Sequence, residues 1–136
     1  MKNIFSLSWM NSKQPRKQRK FRENAPLHIK NKFLGCNLSK ELKDKYGVRS
    51  LVLRKQDKVK IQRGQFKGKE GTVDRIDVKR VKVFVSVAQT TKKDGSKVYY
   101  PLNPSNLMIT NLNLSDSKRI KSDKKETGDK DGKKSQ

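Results

Sequence analysis

A stretch of alternation followed by three spaced glycines constrains this chain more than any other feature. In Lys58-Val59-Lys60-Ile61-Gln62, polar and apolar residues alternate. That is the period-two pattern of a half-buried strand, with Val59 and Ile61 inward and Lys58 and Lys60 outward. Gly64, Gly68 and Gly71 come next and supply positive φ or close approach where the chain reverses. Gly71-Thr72-Val73-Asp74-Arg75-Ile76 then starts a second strand. Asp57, just ahead of the first strand, can accept backbone hydrogen bonds in the turn leading into it. Arg63, Lys67 and Lys69 project from the intervening loop, whose backbone N–H groups are expected to be free; cations plus free donors on a tight loop make a phosphate-contacting tip. Phe66 has two readings, stacking on an unpaired base or packing beneath the loop.

Three more strands are expected downstream: Val81–Val87, Val98-Tyr99-Tyr100 and Leu107-Met108-Ile109. Lys93-Asp94-Gly95-Ser96 joins two of them as a hairpin turn, because Asp-Gly accepts the positive φ values of a type I′ turn. Pro101 and Pro104 end the fourth strand. Asp74 and Asp77 read as turn residues flanking strands. About five short strands with tight turns predict a mainly β fold, a small, strongly bent barrel over residues 51–117 that closes its own edges.

Residues 11–50 have a different texture. Residues 11–22 form a basic arm in which Ser12 can cap a short helix and Pro15 fits its first turn. With no core to join, the arm is expected to be extended in water and to order against phosphates. Residues 25–35 read as a second short helix, with Pro26 in its first turn and Gly35 just past its end. Residues 39–47 read as a third, capped by Ser39, with Glu41 in its first turn and Gly47 as its stop. Leu42 and Tyr46 share a face of it. Residues 1–10 lack the cleavage site of a secretory signal and read as an unstructured extension. Residues 118–136 hold almost no apolar side chain and are expected to be a disordered, solvated tail.

Charge narrows the function classes. The 136 residues carry a formal net charge of +22, with 31% hydrophobic residues. The surplus is spread as +10 over residues 1–50, +8 over 51–117 and +4 over 118–136. A compact free chain with this surplus repels itself, so a polyanion is implied: nucleic acid first, an anionic membrane surface second. No apolar run approaches the roughly 20 residues of a membrane helix. Cys36 and His28 are each the sole residue of their type. This leaves no internal disulfide and no metal cage, excludes zinc fingers and favours a reducing, intracellular compartment. His28 reads as a packing or RNA-contacting residue. No paired-carboxylate pocket and no nucleophile elbow is present, so catalysis is not expected.

The run Lys55–Val73 resembles a KOW motif: a Gly-Asp, alternating hydrophobics, then spaced glycines with a Lys-Gly before the last. Gln56 departs from it, standing where the usual glycine precedes the Asp. The flanks resemble the archaeal–eukaryotic form of the large-subunit ribosomal protein with a KOW domain. They are Ser12–Lys20, Ala25-Pro26-Leu27-His28, Leu38-Ser39, Tyr46-Gly47, Leu53-Arg54-Lys55, Lys93-Asp94-Gly95, Pro101-Leu102 and Pro104–Thr110 with Leu112-Asn113-Leu114. The resemblance covers about residues 11–120; residues 1–10 fall outside it, which makes Met10 a candidate natural start. It implies an SH3-like barrel with basic extensions. It also implies binding to large-subunit rRNA near its 5′ end early in assembly, a seat near the nascent-chain exit, a cytoplasmic ribosomal location and neighbouring ribosomal proteins as partners. No cofactor, metal, membrane partner or homo-oligomer is expected.

A-form RNA hides its base edges in a deep groove, so contacts are expected mostly at phosphates and 2′-hydroxyls. Arg16, Arg19, Arg22 and Arg63 suit bidentate phosphate contacts; Lys13, Lys17, Lys20, Lys67 and Lys69 act as point charges. Gly64 and Gly68 shape the loop, and His28 and Phe66 complete the candidate set. A KOW-type transcription elongation factor and a basic DNA-packaging protein are the competing readings.

Overall fold

The computed structural model describes residues 5–9 and 11–120. Its elements are α1 (Pro15–Asn24), α2 (Leu27–Lys32), β1 (Gly35–Leu38), α3 (Lys40–Tyr46), β2 (Ser50–Val52), β3 (Lys58–Ile61), β4 (Glu70–Asp77), β5 (Lys82–Val85), β6 (Gln89–Thr91), β7 (Lys97–Tyr99) and β8 (Leu107–Asn111). The fold is mainly β. Six strands form one sheet in the order β2-β1-β8-β3-β4-β5, and β6-β7 form a separate ribbon. Only β1 and β8 run parallel within the six-stranded sheet.

The five-strand barrel is therefore corrected to an open sheet. The strong bend is present: β4 pairs with β3 through its first residues and with β5 through its last, with a register shift between Val73 and Arg75. Such a bulge bends the strand and redirects the residues beyond it. Asp74 sits at that bulge inside β4, not in a turn beside it. Asp77, the last residue of β4, does serve the turn, accepting from the Arg80 amide at 3.1 Å. An isolated bridge from Leu102 to Val83 covers part of the β5 edge. The strands missing from the expectation are β1, β2 and β6, each of three or four residues. β1 carries only two inward apolar side chains, Cys36 and Leu38, too few for periodicity to declare it. Gly35, expected as a helix stop, opens β1 and pairs with Val52.

One core unites the sheet. Leu34, Cys36, Leu38, Val59, Ile61, Val73, Val83, Val85, Leu107 and Ile109 are among its fully buried side chains. Each Leu, Ile or Val of this kind contributes roughly 1.5–3 kcal/mol by leaving water. Val81 belongs to the same core at φ 55, the left-handed region a β-branched residue rarely enters. The burial gain exceeds the roughly 1–2 kcal/mol backbone cost, so the conformation persists. α3 follows expectation: the Ser39 hydroxyl accepts from the Leu42 amide, and Gly47 ends the helix at φ 65. Leu42 and Tyr46 pack on the core.

The β6–β7 turn is of a different type from the one expected. The Gly95 amide donates to the Lys92 carbonyl and the Lys92 amide to the Ser96 carbonyl, with positive φ at Gly95 alone. That is a type I turn closed by a glycine bulge; type I′ needs two left-handed residues. Asp94 accepts from the Ser96 hydroxyl and amide, which hold its carboxyl below the usual carboxylate range.

Two terminal expectations also change. The arm is helical from Pro15, with Gln14 rather than Ser12 at the cap position; the Ser12 hydroxyl accepts from the Gln14 amide at 3.3 Å. It does have apolar partners: the Phe21 ring lies 4.8 Å from Phe5, 5.5 Å from Trp9 and 6.4 Å from Phe33. Residues 5–9 thus pack on α1 rather than trailing free. At the other end, Ser117–Ile120 form a 3-10 turn, so the chain stays folded past Lys118, where the tail was expected to begin. The remainder of that tail, residues 121–136, lies outside the described residues.

Candidate nucleic-acid interface

The Gly-rich loop is built as its glycines demand. Gly64 and Gly68 have φ of 100 and 86, and a Cβ on Gly71 would lie 2.9 Å from a Val87 methyl. Gln56 adopts φ 68, so the turn ahead of the strand keeps its left-handed residue although glycine is absent. Asp57 is completely buried behind it. Its carboxylate accepts from the Arg54 and Asn113 amides at 2.8 and 3.0 Å and from both terminal nitrogens of Arg119 at 2.6 Å. Backbone acceptance by Asp57 was expected. The bidentate Arg119 partner was not, because a basic residue in a polar run carries no periodic signal. Arg119 also donates to the Asn113 and Val52 carbonyls, and only its Nε, itself buried, lacks a partner. This cation fastens the end of the described chain to the strand entrance and has no surface to offer a ligand.

Arg63, Lys67 and Lys69 are exposed on the loop. Arg63 and Lys67 come together with Lys60, Gln62, Gly68 and Met108 around a shallow groove. Lys60, Gln62 and Met108 were not in the sequence-derived set; β3–β8 pairing, which aligns Lys60 with Met108, brings them there. Lys60 also meets Glu70 at 3.0 Å on the surface. Lys69 lies 5.5 Å above the Phe66 ring. Phe66 itself is only 7% exposed and sits 5.5 Å from Tyr100, so of its two readings the structure places it beneath the loop. The amides of Lys67, Gly68 and Lys69 donate to Gly64, Ile61 and Phe66 carbonyls. The expected supply of free loop donors is reduced accordingly, and anion contact there falls to the side chains.

The second set lies on the arm. Lys13, Arg16, Lys17, Arg19, Lys20 and Arg22 are exposed, and no residue of α1 is buried. Arg22 stands 5.8 Å over the Phe33 ring. His28 is exposed on α2, whose Ile29 is the buried side chain. Among the described residues, ion pairs join Arg54–Asp116, Lys60–Glu70 and Arg119–Asp57, and none uses an arm cation. Uncompensated guanidinium and ammonium groups on a helix can bind phosphate oxygens at little desolvation cost. Among the described residues, no helix is long and apolar enough to cross a membrane, and no three His, Cys, Asp or Glu side chains cluster to hold a metal.

Fold and surface together define a small, strongly basic, mainly β protein with a KOW-type hairpin. The family model for the eukaryotic L26 and archaeal L24 ribosomal proteins matches residues 12–125. The chain belongs to that family of large-subunit ribosomal proteins.

Proposed function

We propose that this chain is a structural constituent of the large ribosomal subunit that binds large-subunit rRNA through phosphates and 2′-hydroxyls. It acts early in assembly, sits near the nascent-chain exit beside other ribosomal proteins in the cytoplasm, and has no catalytic role. The observation that carries this reading is the row of exposed arm cations, without carboxylate partners among the described residues, on a helix with no buried residue. Arg16, Arg19 and Arg22 on α1, with Arg63 and Lys67 at the loop groove, grip the backbone; Lys13, Lys17, Lys20 and Lys69 add charge. His28 contributes one exposed ring. Gly64 and Gly68 hold the loop's shape. The early-assembly role and the seat near the exit rest on the family resemblance.

Sedimentation with RNA identification tests the proposal: the protein should co-migrate with large subunits and resist a high-salt wash. Isolated binding to an rRNA fragment should lose roughly three to five decades of affinity between about 50 and 200 mM salt, as a footprint of about 6–10 phosphates does on duplex DNA. Salt-independent affinity, or co-migration with RNA polymerase instead, would overturn it.

A further inference from the structure

The chain's N-terminal extension, outside the residues matched by the family, builds part of a cavity on α1. Its walls include Phe5 and Trp9 from the extension and Lys17, Lys20, Phe21 and Asn24 from the helix. The four helix residues follow i, i+3, i+4, i+7 spacing and so share one face. Phe5, Trp9 and Phe21 are half-buried; the Phe21 centroid lies 4.8 Å from that of Phe5 and 5.5 Å from that of Trp9, and part of each ring stays open. Aromatic faces flanked by two ammonium groups fit a group that is flat and apolar at one end and anionic at the other. An unpaired nucleotide has that chemistry.

We propose that this cavity takes one unstacked nucleotide of single-stranded RNA. Its base stacks on the Phe5 and Trp9 rings, Lys17 and Lys20 hold its phosphate, and Asn24 hydrogen-bonds the base edge. The inference rests on the RNA-binding reading above and adds to it a site for single strands, distinct from the backbone contacts of Arg16, Arg19, Arg22 and Arg63. It also gives residues 5–9 a ligand-binding role.

Trp9 is the sole tryptophan, so its emission reports on this cavity alone. The full-length protein is titrated with a short oligoadenylate and, separately, with an RNA duplex of equal length. The single strand is expected to quench Trp9 strongly at saturation, while the duplex binds with little quenching. Phe5→Ala is expected to weaken single-strand binding about tenfold, the size of one lost base–aromatic stack, and to leave duplex affinity unchanged. Duplex affinity therefore also reports that the variant is folded. Binding of both RNAs without selective quenching, or equal quenching by both, overturns the cavity proposal and leaves general RNA binding standing. Failure of both RNAs to bind at low salt overturns the two together.

Discussion

The sheet and the arm use cations in opposite ways. Arg119, 3% exposed in its side chain, is held 2.6 Å from a fully buried Asp57 and stabilises the fold. Arg16 and Arg19 on α1 are exposed and meet no carboxylate among the described residues. The sheet rests on a shared core, whereas α1 buries no residue and leans on a few aromatic contacts. Net charge therefore says little about what any one cation does; its surroundings decide. Stability and ligand affinity should separate by region.

The sharpest way to break that comparison is Arg119→Met. It leaves Asp57 buried without its charge partner, and unfolding by urea should show a loss of about 3–5 kcal/mol. A loss below about 1 kcal/mol, as for a surface ion pair, would place Arg119 with the arm cations.

Replacing Arg16, Arg19 and Arg22 together by Gln should do the reverse. Affinity for an rRNA fragment should fall about a hundredfold and the salt slope by roughly 2–3, while the urea midpoint stays put. A large midpoint shift would mean that the arm is part of the core.

A third measurement sharpens the core side through pH. Burial pushes the Cys36 thiol up to about 12, from an ordinary value of 9.0. The unfolded thiol releases its proton first, so between those values the folded state holds more protons and stability falls as pH rises. By pH 10 this thiol should cost about 1.4 kcal/mol, and Cys36→Ala should remove that part of the alkaline slope. An unchanged slope would show that the thiol ionises freely in the fold.

The smallest effect is expected at Gln56, held at φ 68. Gln56→Gly should relieve the backbone cost and lose one exposed hydrogen bond to Asn113, raising stability by about 0.5 kcal/mol. A net loss would show that the side-chain bond outweighs the strain.

The KOW hairpin is legible in the sequence because its signals are local: alternation at Val59 and Ile61, and glycines where the chain must turn. α3 is legible for the same reason, through Ser39 and Gly47. β1 and β2 are not, since strands this short acquire meaning only from long-range pairing such as Asn37 with Met108. The arm cations are readable as charges, but whether a cation faces solvent depends on the fold. Arg119 looks like its neighbours in sequence and differs only because Asp57 lies across from it. Phe5 and Trp9 give no sequence signal of a site because their partner Phe21 sits beyond a basic stretch.

The order of the sheet bears on how the protein comes off its own template. β8, near the C-terminal end, lies between β1 and β3, and Arg119 reaches Asp57 across 62 residues of chain. A nascent polypeptide grows at about 5–20 residues per second, N-terminus first. For several seconds the early strands have no centre to zip against, and the Asp57 carboxylate awaits its neutralising partner. The sheet completes itself only once β8 and Arg119 have been made.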